Sequence, residues 1–344
     1  DAFTSTDTAG KIEVKFSNGI IDDTSDGYIK HPAFTFGTGE MPGFWVAKYE
    51  ASEGTNTNKT GEVTTPTATN YVAQSKPGVT SWRNISVSKM YEYAYNTFRD
   101  LDSHLMRNSE WGAIAYLTNA MGRIPYNNNN TNFITGISGD TQDAAATEST
   151  ENSWNTQKGV RASTTHNVYG VYDMAGGAYE YVSAYLSSGD SQYLSGDEST
   201  KTAAGVLYTN RDTKYVEIYD EIYTALKTGD AIYETSNNVD DAYIVWDSDG
   251  SVAPSVTYPL FVRGYVATSN GEKAGIFSFR EGRGRSSDTC SFRTVLAPEA
   301  TESQVYRSLT IESQFFTRKE NKLVGKPVTV EAITESDKYT FTGW

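Results

Sequence analysis

The chain has 344 residues, a formal net charge of −14 and one cysteine; hydrophobic residues make up 38% and aromatic residues 13%. That length holds one large domain plus a smaller piece, and the negative charge argues against nucleic acid or an anionic membrane as a main partner. Cys290 alone excludes an intramolecular disulfide framework and any multi-cysteine metal site.

With 24 Tyr, 14 Phe and 6 Trp, the core is expected to rest on aromatic rings more than on Leu and Ile. No apolar run is long enough to span a bilayer, so no membrane insertion is expected. A nearly cysteine-free chain fits a secreted bacterial or viral protein, and a start at Asp1 leaves room for a removed signal or anchor.

Residues 1–30 predict a lead-in β-hairpin: Ile12, Val14 and Phe16 alternate with Lys11, Glu13 and Lys15 ahead of an Asn18-Gly19 turn. Residues 43–52 predict one strong strand, with Trp45 opposite in phase to Phe44 and Val46. Residues 54–80 are polar and predict a long exposed loop. Two helices follow. Ser86 can cap the first, which carries Met90, Tyr93, Ala94 and Phe98 at helical spacing; Asn108 or Ser109 can cap the second, which carries Trp111, Ile114, Ala115 and Leu117. Glu110 suits the first turn of that second helix.

Residues 127–157 predict a loop-rich insertion. The stretch 167–185 then sets Tyr169, Tyr172, Tyr179, Tyr181 and Tyr185 around Gly170, Gly176 and Gly177. Its alternation on either side of the Gly176-Gly177 pair predicts strand, tight turn, strand. Tyr215, Ile218, Ile222 and Leu226 share helical spacing and predict a short helix. A strand is predicted at 242–246, with a turn at 247–250. Residues 299–322 are polar and linker-like, and 328–333 alternate as a strand.

The central stretch Asn167-Val-Tyr-Gly-Val-Tyr-Asp-Met-Ala-Gly-Gly-Ala-Tyr-Glu-Tyr181 resembles the signature of the formylglycine-generating-enzyme-like (sulfatase-modifying factor) family. Tyr179 and Tyr181 take the places of two tryptophans, and Gly177 that of an asparagine. Residues 43–52 resemble the family's opening strand, 105–116 its Glu-Trp helix, and 259–265 and 290–296, through Arg263-Gly264 and Phe292-Arg293, its closing strands. The resemblance covers residues 31–298 and implies an α+β, C-type lectin-like fold with two helices, mostly antiparallel strands and long loops. Residues 299–344 would then be a linker and the start of a small β surface-repeat-like module. The alternative is a Tyr-rich hairpin of an unrelated sandwich.

The family's founding enzyme oxidises a cysteine using copper held by two cysteines beyond the Arg-Gly strand. Residues 263–275 here contain none, and Cys290 resembles a packing position. Cuprous copper needs soft ligands, which one thiolate cannot supply as a pair. Some relatives hold iron through histidines, but His31, His104 and His166 lie in separate segments, and no other catalytic motif is present. A structural calcium near Asp173 and Glu180 is the one cofactor the resemblance leaves open, weakened by the oxygen that Gly177 lacks.

Arg280, Arg283, Arg285 and Arg293 cluster in an acidic chain. They read either as a carboxylate- or sialic-acid-binding patch or as internal partners for acidic groups and tyrosines. The expected function is a non-enzymatic extracellular binding or adhesion module on a bacterial cell surface or phage virion, within a larger assembly. Its expected partner is a cell-surface glycan or protein receptor. Expected ligand contacts are Tyr265, Asn270, Phe277, Arg280, Arg283 and Arg285, with residues 127–154 as a second candidate segment. A metal-dependent enzyme of the same family and a structural spacer are the rival readings.

Overall fold

In chain order the strands of the computed structural model are β1 Thr35–Phe36, β2 Gly39–Glu40, β3 Trp45–Val46, β4 Ala51–Glu53, β5 Ala73–Ser75, β6 His104–Leu105 and β7 Tyr179–Leu186. They continue as β8 Glu217–Tyr219, β9 Leu260–Arg263, β10 Phe279–Gly282, β11 Cys290–Phe292, β12 Thr294–Leu296, β13 Tyr306–Glu312 and β14 Thr317–Leu323, and the helices are α1 Val87–Thr97 and α2 Asn108–Ala120. The structure describes residues 31–54, 72–79, 81–125, 154–189, 214–219, 229–232, 235, 249–264 and 275–297, and the backbone of 306–312 and 317–323. The architecture is α+β. Among the described residues no helix is long and apolar enough to cross a membrane.

The longest sheet is built around β7. On one side β7 pairs antiparallel with β9, which pairs antiparallel with β10; β7 also pairs parallel with β11 near its start and with β8 near its end. A second sheet runs β3-β12-β6, with Val295 opposite Val46 and His104. Arg293 is the single residue between β11 and β12, so it sits where the chain passes from one sheet to the other.

Helix α1 begins after Ser86, as its sequence predicts, and buries Val87, Met90, Tyr91, Tyr93 and Ala94. Tyr93 stacks on Trp82 with ring centroids 4.7 Å apart, which sets one aromatic core. Helix α2 starts one residue earlier than the Asn or Ser preference predicts, with Arg107 as its cap. The cause is Glu110: its Oε2 accepts the Arg107 backbone N–H at 2.8 Å and its Oε1 accepts Arg107 Nε at 3.0 Å. A carboxylate in the first turn can satisfy that orphan donor in place of a cap hydroxyl. The second core gathers on α2, where Trp111 donates Nε1–H to the Ile276 carbonyl at 2.7 Å.

Several expectations are corrected. The single strand over 43–52 is two short ones, β3 and β4. Between them Ala47 O accepts Arg293 Nη1 and Lys48 O accepts the Tyr172 N–H, so those carbonyls serve neighbours other than a ladder strand. The first strand of the central motif is absent. Asp173, Gly176 and Gly177 have φ of 65°, 79° and 76°, which a strand cannot accommodate, and only β7 follows as predicted.

Instead of a helix starting at Tyr215, the chain forms β8, because Ala184, Tyr185 and Leu186 of β7 pair with Glu217, Ile218 and Tyr219. Here tertiary pairing overrides local spacing. The linker reading of 299–322 gives way to the β13–β14 hairpin, registered from Tyr306 opposite Leu323 to Glu312 opposite Thr317. Leu309, Thr310 and Ile311 supply the strand propensity that the polar composition obscures. The predicted hairpin of residues 1–30, residues 127–153 of the insertion, the strands at 242–246 and 328–333, the turn residues 247 and 248 and the tail to Trp344 lie outside the described residues.

Candidate functional site

The connection from β10 to β11 carries Arg283 and Arg285, and its backbone is fastened along its length. Beneath it lies Tyr181 of β7, buried, whose hydroxyl accepts the Gly284 N–H at 2.9 Å. A Cβ on Gly282 would come within 2.7 Å of the Tyr181 ring, so the strand can pass this close only with glycine there. Gly284 takes φ 72° and offers its carbonyl to the Val87 N–H of α1 at 3.0 Å. The Ser287 carbonyl accepts the Asn84 N–H at 2.8 Å, and the Asp288 carbonyl accepts Arg83 Nη1 at 2.9 Å. The Thr289 carbonyl accepts the Tyr179 N–H at 2.9 Å. A loop with this many satisfied backbone groups presents its side chains from a fixed base.

The arginines rest on rings. Arg280 is exposed, donates Nη1–H to the Tyr179 hydroxyl at 2.9 Å and lies 5.8 Å from that ring's centroid. The Arg283 guanidinium sits 4.0 Å over Tyr258, and Arg285 is exposed. A guanidinium lying on a tyrosine keeps its charge and its planar fork of donors. The structure places Arg280 on β10 against Tyr179, and Arg283 and Arg285 on the connection that follows, with Arg283 against Tyr258. It does not place Phe277 with them. That ring is 0% exposed, 6.0 Å from Tyr116, and its N–H donates to Asp249 Oδ2 at 2.9 Å. Phe277 is thus a core residue in this conformation, because its apolar ring fills the interior beside α2. Tyr265, Asn270 and residues 127–153 lie outside the described residues.

Arg293 has a different environment. It is fully buried, with Nη2 and Nε on the two carboxylate oxygens of Glu180 at 2.6 and 3.1 Å. Its remaining donors reach Ala47 O at 2.7 Å and Tyr172 O at 2.8 Å. Burial opposes its charge, and the Glu180 carboxylate outweighs burial and raises its pKa. Glu50 lies in the same buried acidic neighbourhood. Its Oε1 accepts the Ala178 N–H at 2.8 Å, and its Oε2 has no hydrogen-bond partner. Burial first, then the charges of Asp173 and Glu180, push its carboxyl well above the usual range.

Asp173 and Glu180, the residues singled out for calcium, are both buried, and Glu180 has both oxygens on Arg293. Among the described residues no group of three or more His, Cys, Asp or Glu side chains is placed to hold a metal ion. Each histidine is engaged where it stands. His31 Nδ1 accepts the Ala33 N–H at 3.2 Å, His104 bonds Glu110 Oε1 at 2.9 Å, and His166 bonds the Ile124 carbonyl at 2.7 Å. Cys290 is buried, and burial raises its thiol to about 11, far from an activated thiolate.

Sequence reasoning missed Tyr179 and Tyr258 as the rings under the arginines, and Glu50 as a member of the acidic cluster. The excess of Tyr over Trp in the central motif was the available signal for the first. No family model matches this chain, and no curated protein matches it.

Proposed function

We propose that the chain is a non-enzymatic, formylglycine-generating-enzyme-like domain of C-type lectin-like fold that works as an extracellular binding or adhesion module. Its setting in this reading is a bacterial cell surface or phage virion. Its partner is an acidic cell-surface glycan, such as a sialylated one, or a receptor displaying such groups. The observation that carries the reading is Arg280, exposed on β10, followed by Arg283 and Arg285 on a loop whose backbone is pinned by Tyr181, Arg83, Asn84 and Val87. Paired N–H donors in a fixed plane suit carboxylate recognition, and a loop fixed in advance reduces the ordering cost of binding. The resemblance of the central motif and the lack of a cysteine pair beyond Arg263 support a domain that binds rather than oxidises.

The test is a panel of immobilised sialylated, sulfated and neutral glycans probed with the full chain at rising salt. The reading predicts retention on the acidic members that weakens as salt is raised, since exposed charges are screened. Equal retention on neutral and acidic glycans would overturn the arginine assignment, and retention on none would favour a structural spacer.

A further inference from the structure

His104 of β6 is fully buried at a joint between several elements. Its two ring nitrogens point at different partners. Nδ1 is 2.7 Å from the backbone carbonyl of Asp102, in the turn that follows α1, and Nε2 is 2.9 Å from Oε1 of Glu110, in the first turn of α2. The ring also lies 4.9 Å from that of Phe36 in β1 and 5.9 Å from that of Tyr215, just before β8.

These partners decide where the protons are. A backbone carbonyl only accepts a hydrogen bond, so Nδ1 carries a proton. The same holds for Nε2 provided that Glu110 is a carboxylate, and its other contacts make it one. Glu110 Oε2 accepts the Arg107 backbone N–H at 2.8 Å, and Oε1 accepts Arg107 Nε at 3.0 Å with Arg107 Nη2 at 2.9 Å. Burial opposes that charge, and Arg107 ahead of His104 outweighs burial, holding the carboxyl at about 2. A neutral imidazole has one N–H and cannot donate from both nitrogens. His31 offers the contrast: its Nδ1 accepts the Ala33 N–H at 3.2 Å and is therefore bare, and burial lowers its pKa to about 4.

We infer that His104 is an imidazolium ion in the folded protein and that loss of its proton unfastens the Asp102 turn, which makes this joint a pH-sensitive latch. The Glu110 carboxylate is a stronger acceptor than a carbonyl, so a neutral ring keeps Nε2–H and turns the lone pair of Nδ1 toward Asp102. Two acceptors then face each other at hydrogen-bond distance. The turn gives way before α2 does, because Asp102 has a φ of 50°, a left-handed backbone that holds only while its bonds fix it. Asp102 Oδ1 accepts Lys214 Nζ at 3.1 Å and the Tyr215 hydroxyl at 2.5 Å, so release of the turn reaches the residues that enter β8. The charged and titratable groups around the ring are thus Arg107 and Glu110 on the α2 side, and Asp102, Lys214 and Tyr215 on the other. Helix α1 adds Tyr95, edge-on to Tyr215 at 5.3 Å, while β12 and β1 face the ring with apolar Val295 and Phe36.

Nitrogen NMR of the full chain with isotope-labelled histidine reads each ring directly. At about pH 5.5, inside the range where histidine ordinarily changes charge, His104 should show protons on both nitrogens, exchanging slowly because the ring is buried. His31 should show one. The variant His104→Gln identifies the signals. Amide exchange is then followed from about pH 5 to about pH 8, across that same range. The Asp102 and Ser103 amides donate to Arg99 O and Phe98 O within the turn, and the Trp111 amide donates to Arg107 O in α2. As His104 loses its proton, protection of the two turn amides should fall about tenfold relative to Trp111, the equivalent of one hydrogen bond. The ratio cancels the general base dependence of exchange. In His104→Gln the ratio should be low at every pH, and if that variant does not fold, the wild-type titration decides alone. A bare nitrogen on His104 at about pH 5.5, both protons kept to about pH 8, or deprotonation with an unchanged ratio would overturn the inference. No ligand enters the measurement, so this inference and the proposed function fail separately.

Discussion

Arg293 and the arginines of the neighbouring loop come from one short stretch of chain, yet the fold uses them in opposite ways. Arg293 is saturated: its donors meet the Glu180 carboxylate and two backbone carbonyls, all away from water. Arg263 is treated alike, donating to the Asp230 and Ala231 carbonyls while lying 5.5 Å over Trp111. Arg280 and Arg283 instead lie on tyrosines, with Arg280 and Arg285 open to solvent. Burial decides the difference. An interior guanidinium joins strands that would otherwise hold unpaired carbonyls and a lone carboxylate, whereas a surface one can be removed with little loss of fold.

The largest effect should come from breaking the interior pair. Arg293→Ala strands Glu180 as an uncompensated buried charge and should cost about 3–5 kcal/mol in urea unfolding. A loss below about 1 kcal/mol, the size of a surface change, would mean that Arg293 is not the joint between the sheets. Tyr181→Ala empties the space under the loop and should cost a similar amount, about 3–5 kcal/mol. Tyr181→Phe keeps the ring and removes only the bond to Gly284, so about 0.5–1.5 kcal/mol is expected. In that variant the Gly284 amide should exchange with solvent faster, while β7 amides keep their protection.

The acidic neighbourhood of Arg293 sharpens the comparison through pH. Glu50 has a folded-state pKa raised above its usual 4.5 by burial and by Asp173 and Glu180. The folded state therefore holds this proton more firmly than the unfolded chain. Its contribution is fully present below pH 4.5 and is lost as pH rises toward the folded value. Glu50→Gln stays neutral, so its stability should fall less steeply than wild type on going from pH 4.5 upward. Glu110 has the opposite sign. Burial works against its charge, but Arg107 and His104 hold its carboxyl at about 2, so its contribution is present above pH 4.5 and fades as pH falls through about 2. Melts of Glu50→Gln and Glu110→Gln across acid and neutral pH should diverge from wild type in opposite windows. Parallel curves would contradict both assignments.

Parts of this arrangement were legible in the sequence because they depend on local spacing. The apolar face of α1 and the Trp111 and Ala115 positions of α2 follow from periodicity. Gly176 and Gly177 also adopt the positive φ that their pairing beside large rings predicts. The irregular path before β7 was not legible, because its partner is Lys48, far away in sequence. Nor was β8, since Tyr215 just before it and Ile218 within it fit helical spacing until β7 supplies a strand to pair with. The arginine cluster could be seen as a cluster, but its division into interior and surface members depends on which side chains pack beneath each one.

The smallest structural effect belongs to the loop arginines, and there the central claim is most exposed. Arg280→Ala, Arg283→Ala and Arg285→Ala combined should change folding stability by no more than about 0.5 kcal/mol per site. The decisive measurement is made on that triple variant, comparing its thermal unfolding and its retention on acidic glycans with those of the wild type. The account predicts an unfolding curve close to wild type together with loss of the salt-sensitive binding. A triple variant that binds acidic glycans as well as the wild type, or that loses binding only by unfolding, would contradict it.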